Sequence, residues 1–176
     1  MSILRTRKRL KQRICILFTG SLLLFSSLSY AECQDYPAAL QNMPKSGDLF
    51  INADGSKVEI QYLVAESASL RSAGFQHVCP ETIAKENILF VFQTEFVSAF
   101  HMNNVHAPLD IAFLDKKGVI IDIQTMYPYS LISTKKPLYK PAGPAMYALE
   151  ARQGFFDEAG VKVGALLQSR SVVTAK

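Results

Sequence analysis

The sequence predicts an α+β fold: a compact, curved or barrel-like, mainly antiparallel β-sheet with about two short helices. Short apolar segments recur along the chain with turn residues between them, which is typical of strands joined in hairpins. In contrast, few segments carry the end signals of a helix. With 176 residues and 49% apolar composition, the chain is large enough for one domain with its own core.

The N-terminus has the composition of an export signal. Residues 1–13 carry six basic residues and no acidic residue, and an apolar run follows over residues 14–28. Ser29 and Ala31 supply the small residues that precede a cleavage site, which predicts a cut before Glu32. The alternative, an uncleaved anchor helix, is disfavoured because the run is short and interrupted by small polar residues. We therefore expect a cleaved signal peptide, a periplasmic or secreted protein, and no stable membrane span after cleavage.

Removal of this segment, residues 1–31, changes the charge of the chain. The full sequence has a formal charge of +4, but six of its 19 basic residues lie in the signal, so 13 basic and 15 acidic residues remain and the charge becomes −2. No basic run longer than a lysine pair is left. We therefore expect no nucleic-acid partner.

The cysteines fit an oxidising compartment. Cys15 leaves with the signal, and Cys33 and Cys79 remain as one pair. A bridge between them would tie the mature N-terminus to the loop after the first helix, but the sequence alone leaves both the bridged and the free state open. There is no Cys-x-x-Cys, so a thiol-exchange activity has little support.

The mature chain divides into three parts. Residues 32–47 contain Pro37 and Pro44 and are expected to form an irregular lead-in. A single domain is expected over residues 48–170, followed by a tail over residues 171–176.

The first half of the domain predicts a hairpin and a helix. Residues 49–65 read as two strands joined by a turn at Asp54-Gly55. The next segment has Ser67 or Ser69 as an N-cap and Gly74 as a C-cap, which predicts a short helix.

The middle of the domain predicts two further strands. Residues 87–92 are apolar on both faces, as in a central strand. In residues 95–102, alternation places Phe96 and Phe100 on one face and His101 on the other.

The second half begins with the strongest pattern in the chain, a hairpin over residues 109–126 with its turn at Asp115–Gly118. The remaining predicted elements are an irregular loop over residues 127–144, a strand over 145–151, a short helix over 152–160 and a last strand over 161–168.

Seven short motifs stand in a fixed order between Val58 and Leu167. They are Arg-x-x-Gly at Arg71–Gly74, Leu-Phe-x-Phe at Leu89–Phe92, Met-x-Asn at Met102–Asn104, Pro-Leu-Asp at Pro108–Asp110, Phe-x-Asp-x-x-Gly at Phe113–Gly118, Tyr-x-Leu-Glu at Tyr147–Glu150 and Gly-Val-x-Val-Gly at Gly160–Gly164. In this order and spacing the chain resembles the domain of unknown function 192 family (DUF192), small exported or cytoplasmic domains of bacteria and archaea. The resemblance implies a compact, barrel-like α+β fold and no established activity.

The chain departs from the usual family pattern at three positions. Family members usually carry Trp and Lys where His101 and Asn103 stand here, and a Met where Gln76 stands. If the Trp-Lys pair carries the family's binding, the resemblance implies a different ligand for this chain, or a site elsewhere.

Asp110 has two interpretations. A carboxylate at the start of a strand can accept backbone N–H groups of the turn at residues 102–107, and we favour this structural role. The alternative is general-base catalysis with His101 or His106 as partner, as in a small hydrolase or lyase. No catalytic triad order, phosphate-binding loop or zinc-protease motif is present. Glu150 is expected to be a strand-end partner of a basic residue rather than a catalytic acid.

Several residues are of types that bind copper or zinc, which makes a metal site a further alternative. The candidates are His77, Cys79, His101, Met102 and His106. Because His101 and Met102 are adjacent on a predicted strand, their side chains should diverge, and we favour structural roles for these residues. We expect no cofactor.

The loop over residues 127–144 combines rings and cations that suit a sugar or an anionic ligand, unless the rings simply cover the sheet. Its members are Tyr127, Tyr129, Tyr139, Lys135, Lys136 and Lys140. The favoured hypothesis is a non-catalytic ligand-binding or accessory module whose partner is a small molecule, a glycan or an envelope protein. Its candidate ligand-binding residues are His101, Asn103, Asn104, Asp110, Tyr127, Tyr129 and Tyr139.

Overall fold

The computed structural model describes residues 33–129, 131 and 136–169. The predicted signal peptide and the predicted tail lie outside these residues. Seven strands and four short helices occur in the described ranges. In chain order they are α1 (Ala38–Gln41), β1 (Lys45–Ile51), β2 (Lys57–Ala65), α2 (Ala68–Ala73), α3 (Pro80–Ile83), β3 (Ile88–Phe96), β4 (Leu109–Leu114), β5 (Ile120–Met126), β6 (Ala145–Arg152), α4 (Phe155–Glu158) and β7 (Leu166–Ser169).

The strands form one curved sheet in the order β5-β4-β6-β3-β2-β1-β7. Every neighbouring pair is antiparallel except β2 and β3, which are parallel. The two ends of this sheet also meet. The N–H of Ile120 donates to the carbonyl of Ala165 at 2.9 Å, and the N–H of Leu167 donates to the carbonyl of Gly118 at 2.9 Å. The predicted α+β class with a curved, mainly antiparallel sheet is confirmed.

A glycine makes this junction possible. Gly118 ends the turn between β4 and β5 with φ +82°, and a Cβ there would lie 2.8 Å from the carbonyl oxygen of Leu167. The turn itself is held by Asp115, whose Oδ1 accepts the N–H groups of Lys117 and Val119 at 2.8 and 2.9 Å. We call the contact between β7 and the start of β5 the seam.

The sheet has a hydrophobic core on each face. The inner face collects residues from β1 to β6 together with Phe156 of α4. The opposite face, which we call the helix-covered face, packs against α1, the loops after α2 and after β3, and α3. Residues alternate between the two faces along β6, so Leu149 points inward while Ala148 lies in the helix-covered core.

The lead-in is more ordered than the sequence predicts. Its two prolines do not prevent α1 from forming, and Leu40 and Met43 are buried in the helix-covered core. β1 begins at Lys45, ahead of the expected domain start. Cys33 and Cys79 form a disulfide with a Cα–Cα distance of 4.8 Å. The expectation of an irregular segment over residues 32–47 is therefore wrong, because burial of these side chains outweighs the local turn signals.

The prediction of a strand over residues 95–102 is also wrong. β3 ends at Phe96, and beyond it an isolated bridge pairs Phe100 with Tyr139. Ser98 and Met102 are nonetheless buried while Ala99 and His101 are exposed. The alternation in the sequence thus reports burial against the core and not a ladder of hydrogen bonds.

The helical content is higher than predicted. α2 begins after Ser67, whose hydroxyl accepts the N–H of Leu70, and ends at Gly74, as the cap residues predict. The two further helices, α1 and α3, are single turns that the sequence pattern did not reveal. Within the described ranges, no helix has the length and apolar character needed to cross a membrane.

Candidate functional site

A cavity of about 260 Å³ opens on the helix-covered face between α2, β3 and the segment that follows β3. Phenylalanine rings form most of its walls, and polar groups lie at its floor and rim. We call it the aromatic cavity. The lining residues that matter for its chemistry are Arg71, Phe90, Phe92, Ser98, Phe100 and Glu150.

The rings of the cavity are fixed by edge-to-face packing. Phe90 and Phe100 have centroids 5.1 Å apart with planes at 90°, and Phe92 and Phe96 have centroids 4.9 Å apart at 87°. Phe100 also packs against the buried Phe113 at 5.6 Å. Because such contacts hold each ring in one orientation, the walls present a preformed apolar surface.

Glu150 lies in the middle of the sheet and belongs to the floor of the cavity. Its backbone is paired with Ile88 of β3 and with Ile111 of β4. The residue is 5% exposed, and its carboxyl group has no hydrogen-bond or ion-pair partner among the residues that the structure describes. Burial raises the pKa of Glu150 to about 8. The interpretation of Glu150 as a strand-end partner of a basic residue is wrong.

Gly74 lies beside this carboxyl group. Its φ of +47° is a conformation that other residues rarely adopt, and a Cβ there would lie 3.3 Å from the ring of Phe90 and 3.7 Å from Oε2 of Glu150. A side chain at this position would press into the floor of the cavity. The glycine of the Arg-x-x-Gly motif thus ends α2 and leaves room beside the buried acid.

Ser98 is a second polar group without a partner. It is 5% exposed, and its hydroxyl oxygen is buried without a hydrogen bond to any described residue. An unmade bond of this kind costs about 1–3 kcal/mol. Ser98 and Glu150 thus bring two polar groups without a described hydrogen-bond partner to one cavity, which makes this cavity the candidate site.

Arg71 stands at the wall of the cavity between α2 and β3. Its guanidinium carbon lies 5.3 Å from the centroid of the Phe92 ring, and Nη1 donates to the carbonyl oxygens of Glu66 and, at 3.0 Å, Val91. These contacts tie the helix to the strand. They also show that a ring of this cavity accepts a cation over its face.

His101 lies at the rim of the aromatic cavity. It is exposed, and its Nδ1 accepts the N–H of Asn103 at 3.3 Å. Met102 points the other way and is 1% exposed in the helix-covered core. The two side chains diverge, so they do not form a shared ligand set.

Asp110 lies on the inner face, away from this cavity. Its Oδ1 accepts the hydroxyl of Thr125 at 2.7 Å, and its Oδ2 accepts the N–H of Gly154 at 2.7 Å. Asp110 therefore stabilises the turn that leads into α4. Asp110 is a structural hydrogen-bond acceptor, as predicted. Its donors are Thr125 and Gly154, so the expectation that the turn at residues 102–107 supplies the N–H groups is wrong. The structure does not bring Asp110 together with His101.

The other candidates of this segment take part in turns. Asn104 has φ +55°, and its carbonyl accepts the N–H of His77 at 2.7 Å. His106 is exposed and does not line the aromatic cavity. In the part of the chain that the structure describes, no three His, Cys, Asp or Glu side chains come close enough to hold a metal ion.

The tyrosines of the loop cover the sheet and do not line the cavity. Tyr129 and Tyr139 pack against the helix-covered core, while Tyr127 is exposed. The hydroxyl of Tyr139 accepts the N–H of Tyr127 at 3.1 Å, and that of Tyr129 donates to the carbonyl of Pro137 at 2.7 Å. Lys136 lies 5.8 Å from the Tyr129 ring, while Lys135 lies outside the described residues.

The fold and the position of its motifs define a small α+β barrel-like domain. A family model, DUF192, described as an uncharacterised ACR, matches residues 49–169, and the chain belongs to this family. The resemblance drawn from the motifs is confirmed.

Two solved structures share the fold. A protein from Sinorhizobium meliloti, provisionally described as a transcription regulator, has a TM-score of 0.64 and 24% identity, with 72% of this chain and 94% of that chain covered. A protein of unknown function from Novosphingobium aromaticivorans has a TM-score of 0.64 and 20% identity, with 77% of this chain and 91% of that chain covered. At these identities the likeness concerns the fold alone. No curated protein matches this chain.

Several motifs of the family meet at the aromatic cavity. The Arg-x-x-Gly motif contributes Arg71 and Gly74, and the Tyr-x-Leu-Glu motif contributes Glu150. Two positions that depart from the usual pattern, Gln76 and His101, line it as well. Sequence reasoning missed Glu150 and Ser98 as site residues. One signal was available for Glu150, namely an acid inside a motif of an otherwise apolar strand.

Proposed function

We propose that this protein is an exported, non-catalytic binding module, and that its aromatic cavity takes one small, mainly apolar molecule with a polar group directed at Glu150 and Ser98. The observation that carries this proposal is that two buried residues, Glu150 and Ser98, line one cavity walled by phenylalanine with no side-chain hydrogen-bond partner among the described residues. A ligand that supplied their hydrogen bonds would offset the cost of burying them.

The size and lining of the cavity favour a small molecule over a glycan or an envelope protein. Drug-sized ligands occupy pockets of roughly 300–1,000 Å³, lined by apolar groups with a few placed polar ones. The aromatic cavity, at about 260 Å³, falls just below that range. A ligand with a single ring or a short aliphatic body therefore suits it.

A binding role is favoured over hydrolysis because the predicted catalytic pair has no support from geometry. Asp110 accepts hydrogen bonds from Thr125 and Gly154, and His101 lies at the rim of a cavity on the other face of the sheet. His106, the alternative partner, is exposed, and no hydrogen bond or ion pair joins it to Asp110 in the described ranges. A metal role is disfavoured by the divergence of His101 and Met102.

Export is supported by two independent features. The basic and apolar N-terminal sequence has the form of a secretion signal. The Cys33–Cys79 disulfide suits the periplasm or the extracellular medium, where such bonds persist.

The binding proposal can be tested with a tryptophan placed at the rim. The chain contains no tryptophan, so His101→Trp at the rim of the cavity creates a single fluorescent reporter. Titration of this variant with benzyl alcohol should change the emission in a saturable way and raise the melting temperature. As a matched control, Lys57→Trp at the exposed start of β2 should give no saturable change. Equal responses from both reporters would contradict a site in the cavity.

The export proposal has its own test. The full chain, produced in a bacterium with a Sec pathway, should appear in the periplasmic fraction or the medium as a product that begins at Glu32. The intact mass and the N-terminal sequence of that product report the cut. An uncut protein that stays in the cytoplasm would overturn this proposal and leave the cavity proposal standing.

A further inference from the structure

We propose that the ligand of the aromatic cavity carries a positively charged amine, which pairs with the carboxylate of Glu150 while the phenylalanine rings surround its carbon body. This inference rests on the proposed binding function and names the chemical class of the ligand. It is carried by the geometry of the acid, the rings and the cations that surround them.

Glu150 has no cationic partner among the described residues that line the cavity. Of the described residues that line the cavity, Arg71 and His101 are the side chains besides Glu150 that can carry a charge. Neither forms an ion pair with Glu150. The guanidinium of Arg71 is directed to the carbonyl groups of Glu66 and Val91, and His101 is exposed at the rim with its Nδ1 bonded to a backbone N–H. The carboxyl group of Glu150 at the floor of the cavity therefore has no cationic partner among the described residues.

The phenylalanine walls of the cavity suit a cation. Phenylalanine rings present a negative face, and cations over such faces are stabilised by about 0.5–2 kcal/mol according to how far they are desolvated. In this structure the guanidinium of Arg71 already lies 5.3 Å from the centre of the Phe92 ring. Phe92 thus shows that a ring of this cavity can hold a cation over its face, and Phe90 and Phe100 supply further rings of the same kind.

The hydroxyl of Ser98 offers a second acceptor for an ammonium group. A serine hydroxyl both donates and accepts, so it can accept an N–H from an ammonium group that is already paired with the acid. Ser98 is buried beside the rings, and its oxygen has no other partner in the described part of the chain. An ammonium group has three donors, and the carboxylate and this hydroxyl together provide acceptors for them.

Binding of an amine should change the protonation state of Glu150. Before an amine binds, Glu150 is mostly a neutral carboxylic acid near pH 7, because burial raises its pKa to about 8. When an alkylammonium ion enters, the carboxylic acid releases its proton to the solvent and becomes the carboxylate of an ion pair. The ammonium keeps its own proton. Up to one proton should therefore leave the protein for each amine bound.

Three probes with the same ring separate the possible ligand classes. Benzylamine is a cation at pH 7, benzyl alcohol is its neutral counterpart, and benzoate is an anion. Calorimetric titration of the mature protein should show benzylamine bound at least about 10-fold more tightly than benzyl alcohol, a difference of about 1.4 kcal/mol, and benzoate more weakly than either. Repeating the benzylamine titration in buffers of different ionisation enthalpy should show release of a proton.

Two variants assign the effect to the carboxyl group. Glu150→Gln keeps the shape of the side chain but cannot ionise, so it should lose both the preference for benzylamine and the proton release. Ser98→Ala should weaken benzylamine about three-fold and keep the proton release, since the acid is intact. Glu81→Gln, an exposed acid of α3 outside the cavity, should behave as the parent protein.

The outcomes distinguish this inference from the proposed function. If benzylamine and benzyl alcohol bind equally and no proton leaves, the amine inference is wrong while the binding function stands. The same holds if benzoate binds most tightly. If none of the three probes binds and the His101→Trp reporter is also silent, both proposals fail.

Discussion

Asp110 and Glu150 are two acids with nearly the same burial and opposite surroundings. They are 6% and 5% exposed and lie on the neighbouring strands β4 and β6. In the register of these strands, Asp110 pairs with Ala151 and Ile111 pairs with Glu150, so the two acids are one step apart and face opposite sides of the sheet. Asp110 accepts two hydrogen bonds, whereas Glu150 has no partner for its carboxyl group in the described ranges.

This difference shows that burial alone does not identify a functional acid. A buried carboxylate that accepts two hydrogen bonds has its polar atoms paired and stabilises the fold. A buried carboxyl group beside a cavity, with its pKa raised by desolvation, is costly to the fold and marks a candidate site. The following changes test this contrast, beginning with the largest expected effect.

Glu150→Gln should stabilise the protein, and the gain should grow with pH. The pKa of Glu150 is about 8 in the folded protein, above its ordinary value of 4.5. The stabilisation that comes from the neutral acid is thus complete below about pH 4.5 and is lost as the pH rises towards 8. Glutamine never ionises, so it escapes this loss.

The expected gain at pH 9 is a few kcal/mol, because each unit of pKa difference corresponds to about 1.4 kcal/mol. Urea unfolding of both proteins from pH 4 to pH 9 measures it. The two stabilities should converge at pH 4, where both side chains are neutral. If the difference in the free energy of unfolding between the two proteins stayed constant from pH 4 to pH 9, the pKa of Glu150 would not be raised by folding. That result would show that the ionised carboxylate has a stabilising partner.

Asp110→Ala should destabilise the protein by about 2–3 kcal/mol, because it leaves the N–H of Gly154 and the hydroxyl of Thr125 without their acceptor. Urea unfolding at pH 7 checks the size of the loss, and Asp110→Asn should lie between the parent and the alanine variant. The cavity should still respond to benzyl alcohol in this variant under folding conditions. Loss of that response with unchanged unfolding would give Asp110 the functional role and reverse the contrast.

Ser98→Ala and Thr125→Val form a matched pair with effects of opposite sign. The hydroxyl of Ser98 is buried without a partner, so its removal should raise the free energy of unfolding by about 0.5–1 kcal/mol. The hydroxyl of Thr125 donates to Asp110, so its replacement should lower that free energy by about 1 kcal/mol. Thermal unfolding of the two variants at pH 7 measures both. A loss in Ser98→Ala would mean that Ser98 is part of the scaffold.

The fold was predictable where local patterns and tertiary packing agree. The hairpin β4–β5 and the caps of α2 at Ser67 and Gly74 follow from strand alternation and cap chemistry. The segment after β3 cannot be predicted from alternation, because Ser98 and Met102 alternate with exposed residues outside the described strands. The order of the lead-in cannot be predicted from local signals, because Leu40 and Met43 pack against core residues that are distant in the sequence.

The candidate site was less predictable than the fold. His101 was identified from its chemistry and does line the cavity, but its expected partner Asp110 lies on the other face. For Glu150 the sequence pattern favours an ion pair, because an acid near the end of an apolar strand usually pairs with a base. Which face it takes depends on the register of β6 against β4, and that register is set by the whole sheet rather than by the neighbours of Glu150 in sequence.

The seam between β7 and the start of β5 makes the shape of the sheet depend on the last described strand. β7 follows every other described strand in the sequence, yet it pairs with β1 and also meets residues 118–120 at the far end of the sheet. A chain truncated before Leu166 would leave the outer edge of β1 and the start of β5 with unpaired N–H and C=O groups, and such edges readily join other chains. Loss of this one short segment would therefore expose backbone at both ends of the sheet and make the truncated domain prone to aggregation.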